Sequence, residues 1–313
     1  MGNLLFSQRL GRLTPPISGT GPRLAMSADV KNQWGANMLQ QETFTIGDTV
    51  VQVSGAGSPL IFVHGFTTTA EFWREQIAAF SSRYRVIRIN LPGHGVSPRP
   101  AERAYSIPAF VDDILEVYRA FNIDDAILVG LSMGGTVAQH FTLAHPLMVR
   151  ALVLVGATPH GLGDDVNVDN VLQAIDDLGV VLASQNVIER SFGHAAGREL
   201  VEFAKSEVAQ TPAFVAREAI ASLNASDSRA FLSRIYVPTL VVVGNEDIIT
   251  PPGESVILAE GIAGSRLEII PAAGHFPMLE QPEVFNRILK DFLFTCDGPS
   301  SHTKGQGLSQ QAV

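Results

Sequence analysis

Between residues 42 and 295 short β-branched runs alternate with longer amphipathic stretches. Leu60–Val63, Arg85–Leu91, Ala126–Leu131, Arg150–Val155, Thr239–Gly244 and Arg266–Ile270 are near-continuous apolar runs, the pattern of parallel strands covered on both faces. Phe44–Val53 alternates more and predicts an exposed antiparallel pair at the sheet edge. Glu71–Ser82, Ile107–Phe121, Met133–Ala144, Ser255–Ile262 and Pro282–Phe294 carry helical periodicity. Helices interleaved with parallel strands require right-handed crossovers, which predicts an α/β fold with a mostly parallel, doubly wound open sheet. Sites in such sheets lie at the carboxyl ends of the strands.

The stretch 158–233 breaks the alternation. It holds no good strand, and Asn167–Leu178, Gln185–Arg190 and Pro212–Ser222 are helical segments. It is too long for an ordinary connection, so it is expected to be a helical cap inserted into the 42–157 and 234–295 core. Both ends differ from the middle. Residues 1–41 are expected to be a flexible extension and 296–313 a disordered Gly/Ser/Gln-rich tail. Residues 1–28 carry Arg9, Arg12 and Arg23 and no acidic residue, which suits either a mitochondrial transit peptide or an unstructured leader with Met26 as an alternative start.

Composition narrows the partners. The chain has 313 residues, 46% hydrophobic, so it has material for a core and is not globally disordered. Its 22 basic and 31 acidic residues leave a net −9, which argues against nucleic acid or an anionic membrane. No continuous apolar run reaches the ~18 residues that span a bilayer. One cysteine, Cys296, cannot form an internal disulfide, so a cytoplasmic location is expected, with the mitochondrion as the alternative if residues 1–28 are targeting sequence.

The chemistry concentrates after the predicted strands. Gly130-Leu131-Ser132-Met133-Gly134 joins a strand to a helix, and such a turn forces the serine hydroxyl out above the sheet at a helix N-terminus. A serine needs a general base to become a nucleophile. His275, in Ala273-Gly274-His275-Phe276 after the last strand, is the candidate. His64 and His94 sit in tight glycine turns and are expected to buttress loops, while His194 belongs to the cap. The acid that orients the base is expected at Asp247, 28 residues before His275, with Glu246 as its neighbouring competitor. His64-Gly65-Phe66-Thr67 follows another strand, and the amides of Phe66 and Met133 are the expected oxyanion donors. Trp73, Phe192 and Phe276 are candidate substrate-contacting walls. No cluster has metal-ligand spacing and no dinucleotide fingerprint is present, so no cofactor is expected.

The nucleophile turn at Ser132, the order Ser–Asp–His, the His64-Gly65 loop, Pro92-Gly93-His94-Gly95 and Val237-Pro238-Thr239 together resemble the α/β-hydrolase superfamily over nearly all of 44–294. Within it the chain is similar to small serine esterases and lactonases, including 3-oxoadipate enol-lactonase relatives. The resemblance implies Ser132 as nucleophile, Asp247 as acid, His275 as base, and Phe66 and Met133 as oxyanion amides. It implies a small-molecule ester or lactone substrate, and leaves the oligomeric state open. Asn90 departs from the Asp of many relatives. Serine at 132 and the absence of a proline after Phe66 count against the dehalogenase and epoxide-hydrolase branches. Three alternatives share the fold: carbon–carbon hydrolysis of a β-diketone or ring-fission product, cofactor-free haloperoxidase or oxygenase chemistry, and a non-catalytic binding role.

Overall fold

The computed structural model describes residues 41–162 and 166–296. The N-terminal extension up to residue 40, the tail from 297, and residues 163–165 of the expected cap lie outside the described residues. Gln41 already belongs to the first strand and Cys296 to the last helix.

Eight strands form one sheet: β1 Gln41–Ile46, β2 Thr49–Ser54, β3 Ser58–Val63, β4 Tyr84–Asn90, β5 Ala126–Leu131, β6 Val149–Val155, β7 Thr239–Gly244 and β8 Arg266–Ile270. Their order is β1-β2-β4-β3-β5-β6-β7-β8. β2 runs antiparallel to both β1 and β4, and every pairing from β4 through β8 is parallel. Of this pair only β1 is an edge strand, alternating exposed and half-buried positions; β2 lies between β1 and β4 and is almost wholly buried, while β8 forms the opposite edge of the sheet. The expectation of an exposed edge pair therefore holds for one strand of the two.

The apolar runs are explained by two cores, one on each face. Along β5, Ala126 and Leu128 enter one core while Ile127, Val129 and Leu131 enter the other. The first face is covered by α2 (Ile107–Ala120) and α3 (Met133–Ala144), the second by α9 (Pro282–Cys296) and the segment around Trp73. The predicted helix 71–82 is split into a 3-10 turn, Ala70–Trp73, capped by Thr69 Oγ1, and α1, Arg74–Phe80. The remaining core helices are α7 (Pro252–Gly261) and α8 (Pro277–Glu280).

Between β6 and β7 come three helices: α4 Val168–Ser191, α5 Arg198–Val208 and α6 Ala213–Asn224. The two predicted cap segments, 167–178 and 185–190, fall on the two helical halves of α4, which are separated by Gly179 in a non-helical conformation (φ 76°, ψ 154°). The α5 helix was not legible as one in sequence. A neck closes the insertion at its base: Gly161 N–H donates to the Ser226 carbonyl at 2.8 Å and Ser228 N–H to the Pro159 carbonyl at 2.7 Å. Among the described residues α4 is the one helix long and apolar enough to cross a membrane, with a best window of mean hydropathy 1.2. No continuous apolar run of spanning length occurs in it, since Asp176 and Asp177 interrupt the sequence and Gly179 breaks the helical geometry.

Because β3 to β8 are parallel, the segments after β3, β5, β6, β7 and β8 all emerge at one rim of the sheet. The chain leaves β3 for β4 on one side and returns to β5 on the other, so the order reverses at β3. A crevice at such a reversal is where doubly wound sheets bind ligands.

Candidate active site

Ser132 follows β5 in a backbone conformation (φ 51°, ψ −118°) that a non-glycine residue adopts only under strain, about 1–3 kcal/mol. The surroundings enforce it. A Cβ at Gly134 would stand 2.4 Å from the His64 carbonyl oxygen, so the start of α3 can approach the β3 loop this closely only with glycine there. Ser132 occupies the N-cap of α3 yet makes no side-chain capping bond. An ordinary capping serine spends its oxygen on the helix; this one faces the cavity described below. The Met133 amide opens the helix and has no partner within it.

Nδ1 of His275 lies 2.8 Å from Oδ2 of Asp247, and both side chains are buried. A carboxylate only accepts, so Nδ1 carries the proton and Nε2 keeps its lone pair for another group. Asp247 is saturated: Oδ1 accepts from the amides of Ile249 and Thr250 at 2.9 Å, and Oδ2 also accepts from Thr250 Oγ1 at 2.8 Å. Burial opposes its charge, but His275 and these bonds outweigh it and hold the carboxyl below its ordinary range. Glu246, the sequence competitor, points away and binds the cap instead. It accepts from the His194 amide at 2.8 Å and lies 2.7 Å from His194 Nδ1.

Gly156, at the end of β6, has φ +48° and lies against this pair. A Cβ there would stand 3.1 Å from His275 Nδ1 and 3.2 Å from Asp247 Oδ2. The His275 loop is held by Glu280, which accepts from the Gly274 and Phe276 amides at 3.0 and 3.1 Å and from Gly193 at 2.7 Å. Burial raises the Glu280 carboxyl even against those three amides. The His275 amide donates to the Ser191 carbonyl at 2.7 Å, so the end of α4 and the His275 loop form one braced unit.

Gly65, Phe66 and Thr67 follow β3 opposite Ser132, and Thr67 takes φ +54°. His64 holds this loop: its Nε2 accepts from the Leu91 amide at 3.0 Å and its Nδ1 lies 2.8 Å from the Gly65 carbonyl. Complete burial and the neighbouring His94 keep His64 well below the ordinary histidine pKa, and burial lowers His94 to about 4. Both rings are neutral supports. Asn90 Oδ1 accepts from the Ala70 amide at 2.9 Å, so the departure at 90 acts on loop packing.

A cavity of about 410 Å³ sits over this rim. Ser132, His275, Phe66 and Phe276 line its floor, and α4 supplies its roof from both sides of the Gly179 bend. Two expected walls lie elsewhere. Trp73 is buried in the lower core, its ring 4.9 Å from Phe62 and 6.2 Å from Phe285. Phe192 caps α4 behind Phe276, ring to ring at 5.1 Å, and supports that wall without reaching the cavity. Met133 buries its side chain in the core, leaving only its amide near the serine. Among the described residues no group of three or more His, Cys, Asp or Glu is arranged to hold a metal ion.

Glu280, Gly156, Ser191 and Gly193 were missed in the sequence because each acts through a long-range contact. Thr250 had a local signal, since an Asp followed three residues later by Thr is a turn that folds back on the carboxylate.

Residues 60–288 match the model of the alpha/beta hydrolase family. 2-Hydroxymuconate semialdehyde hydrolase of Pseudomonas sp. CF600 is 31% identical over 260 residues, covering 78% of this chain and 89% of that protein. 3-Oxoadipate enol-lactonase 2 of Acinetobacter baylyi is 28% identical over 257 residues, covering 80% and 95%. An esterase from Exiguobacterium antarcticum superposes with TM-score 0.75 at 26% identity, covering 82% of this chain and all (100%) of that one.

Proposed function

The chain belongs to the alpha/beta hydrolase family, and from that premise we propose that it hydrolyses a carboxylic ester or lactone through an acyl-enzyme on Ser132. His275 Nε2 takes the Ser132 proton as Oγ attacks the carbonyl carbon. The Phe66 and Met133 amides receive the developing oxyanion, and Asp247 supports the imidazolium through Nδ1. The imidazolium then protonates the leaving alkoxide. His275 next activates water, which releases the acid and frees Ser132.

The observation that carries this reading is the buried Asp247–His275 pair opening onto the same cavity as a strained serine that caps nothing. The test is Ser132→Ala. Ester turnover is expected to fall at least a thousandfold with the thermal unfolding midpoint held or raised, since alanine removes no capping bond. Near-normal turnover in that variant would remove the proposal. Carbon–carbon hydrolysis is the second reading, supported by the similarity to the semialdehyde hydrolase. Product analysis separates the two, because an ester releases an alcohol.

A further inference from the structure

The walls of the cavity differ sharply from its floor. The bend at Gly179 turns the two halves of α4 toward one space: Val171, Ala174 and Ile175 face it from the first half, and Ala183, Val187 and Ile188 from the second. Among the described lining residues no lysine, arginine, aspartate or glutamate occurs, and His275 is already engaged with Asp247. Polar lining groups on the cap are uncharged: Asn167, Asn170, Ser184 and Ser191. Asn167 Oδ1 and Ser191 Oγ are spent on the helix itself, on the Asp169 and Asn170 amides and the Val187 carbonyl respectively. The charges of α4 lie outside. Asp169, Asp176, Asp177, Glu189 and Arg190 are exposed, with Asp176 paired to Arg217 and Glu189 to Lys205, and none of them lines the cavity.

Resting on Ser132 as nucleophile, we infer that this cavity takes uncharged aliphatic acyl groups of about four to eight carbons and rejects acyl groups that end in a carboxylate. The length follows from volume. A space of about 410 Å³ holds on the order of a dozen water-sized groups, which an acyl chain of that length and the ester atoms fill. The charge selectivity follows from desolvation. An ionised carboxylate buried against valine, isoleucine and alanine has no cation to pair with, and an unpaired buried charge is among the most costly groups to place in a protein.

The test compares p-nitrophenyl acetate, butyrate, hexanoate, octanoate and decanoate with the p-nitrophenyl monoester of adipic acid and its ω-methyl ester, at pH 7.5. From acetate upward kcat/KM is expected to rise by up to about fourfold per methylene, peak between butyrate and octanoate, and fall at decanoate. The ω-methyl ester is expected to exceed the ionised adipate ester at least a hundredfold. Ala174→Leu, which adds volume inside the cavity, is expected to move the optimum about two carbons shorter. Asn170→Arg, at an exposed lining position, is expected to narrow the charge discrimination at least tenfold. A ratio below tenfold in the native protein, or a profile still rising at decanoate, overturns the inference; if Ser132→Ala abolishes that turnover, the serine mechanism stands without it. No Ser132-dependent hydrolysis of any ester in the series overturns both.

Discussion

Gly156→Ala perturbs the site by a single methyl group, and its effect has two separable parts. The first is backbone strain: at φ +48° an L-residue costs about 1–2 kcal/mol relative to glycine. For a domain of this size that lowers the unfolding midpoint by roughly 2–8 °C. The second is contact. The new Cβ would lie 3.1 Å from His275 Nδ1, 3.2 Å from His275 Cε1 and 3.2 Å from Asp247 Oδ2, so the imidazole and carboxylate must retreat by a few tenths of an ångström. Misplacement of about 1 Å costs on the order of a hundredfold, so roughly tenfold in kcat is expected here, with KM nearly unchanged. Gly264→Ala is the control. Gly264 also has positive φ (+74°), but nothing lies within 4 Å of its added Cβ. It is expected to lose comparable stability while kcat stays within about twofold. Steady-state kinetics on a p-nitrophenyl ester and thermal unfolding of both variants decide the matter. Equal kcat in the two alanine variants would refute the claim that Gly156 shapes the acid–base pair.

Asp247→Asn should lower kcat by about 10³–10⁴, because an amide in that place no longer fixes the proton on Nδ1, whereas Glu246→Gln should leave kcat within about threefold. Comparable losses in the two variants would reverse the assignment of the acid. Glu280→Gln replaces one accepting oxygen with a donor facing backbone N–H groups; it should lower stability by about 1–3 kcal/mol and kcat by roughly tenfold, and full activity would show that Glu280 does not position His275. The pH dependence has a definite sign. Asp247 is held below its ordinary value in the folded chain, so its contribution to stability is complete above the unfolded value of about 3.9 and is lost as pH falls through the folded one. The stability gap between the native protein and Asp247→Asn should therefore shrink as pH drops from 6 to 3, and a gap that widens would contradict the pairing.

Much of the architecture was legible because the central parallel strands bury both faces, which leaves an apolar run such as Ala126–Leu131 with no polar interruption. The edge was harder to read. β1 and β2 share a similar alternation, and only pairing with β4 separates a buried strand from an exposed one. The cap was least legible. Gly179, at non-helical φ and ψ, separates α4 into two helical halves that correspond to the two segments read from the sequence, but that they meet at this one residue was not legible. Ser132, Asp247 and His275 stood out because their turns are short-range signals after strands. Trp73 and Phe192 misled because aromatic character alone does not tell a cavity wall from the packing behind it.

The account rests on Ser132 as an activated nucleophile beside His275. Incubation with a fluorophosphonate, followed by peptide mass spectrometry and a parallel esterase assay, tests this directly. One equivalent of phosphonate is expected on Ser132, with activity lost in proportion, and labelling at least a hundredfold slower in His275→Ala. A native protein that keeps its ester turnover while Ser132 stays unlabelled, or that labels elsewhere as activity falls, would contradict it.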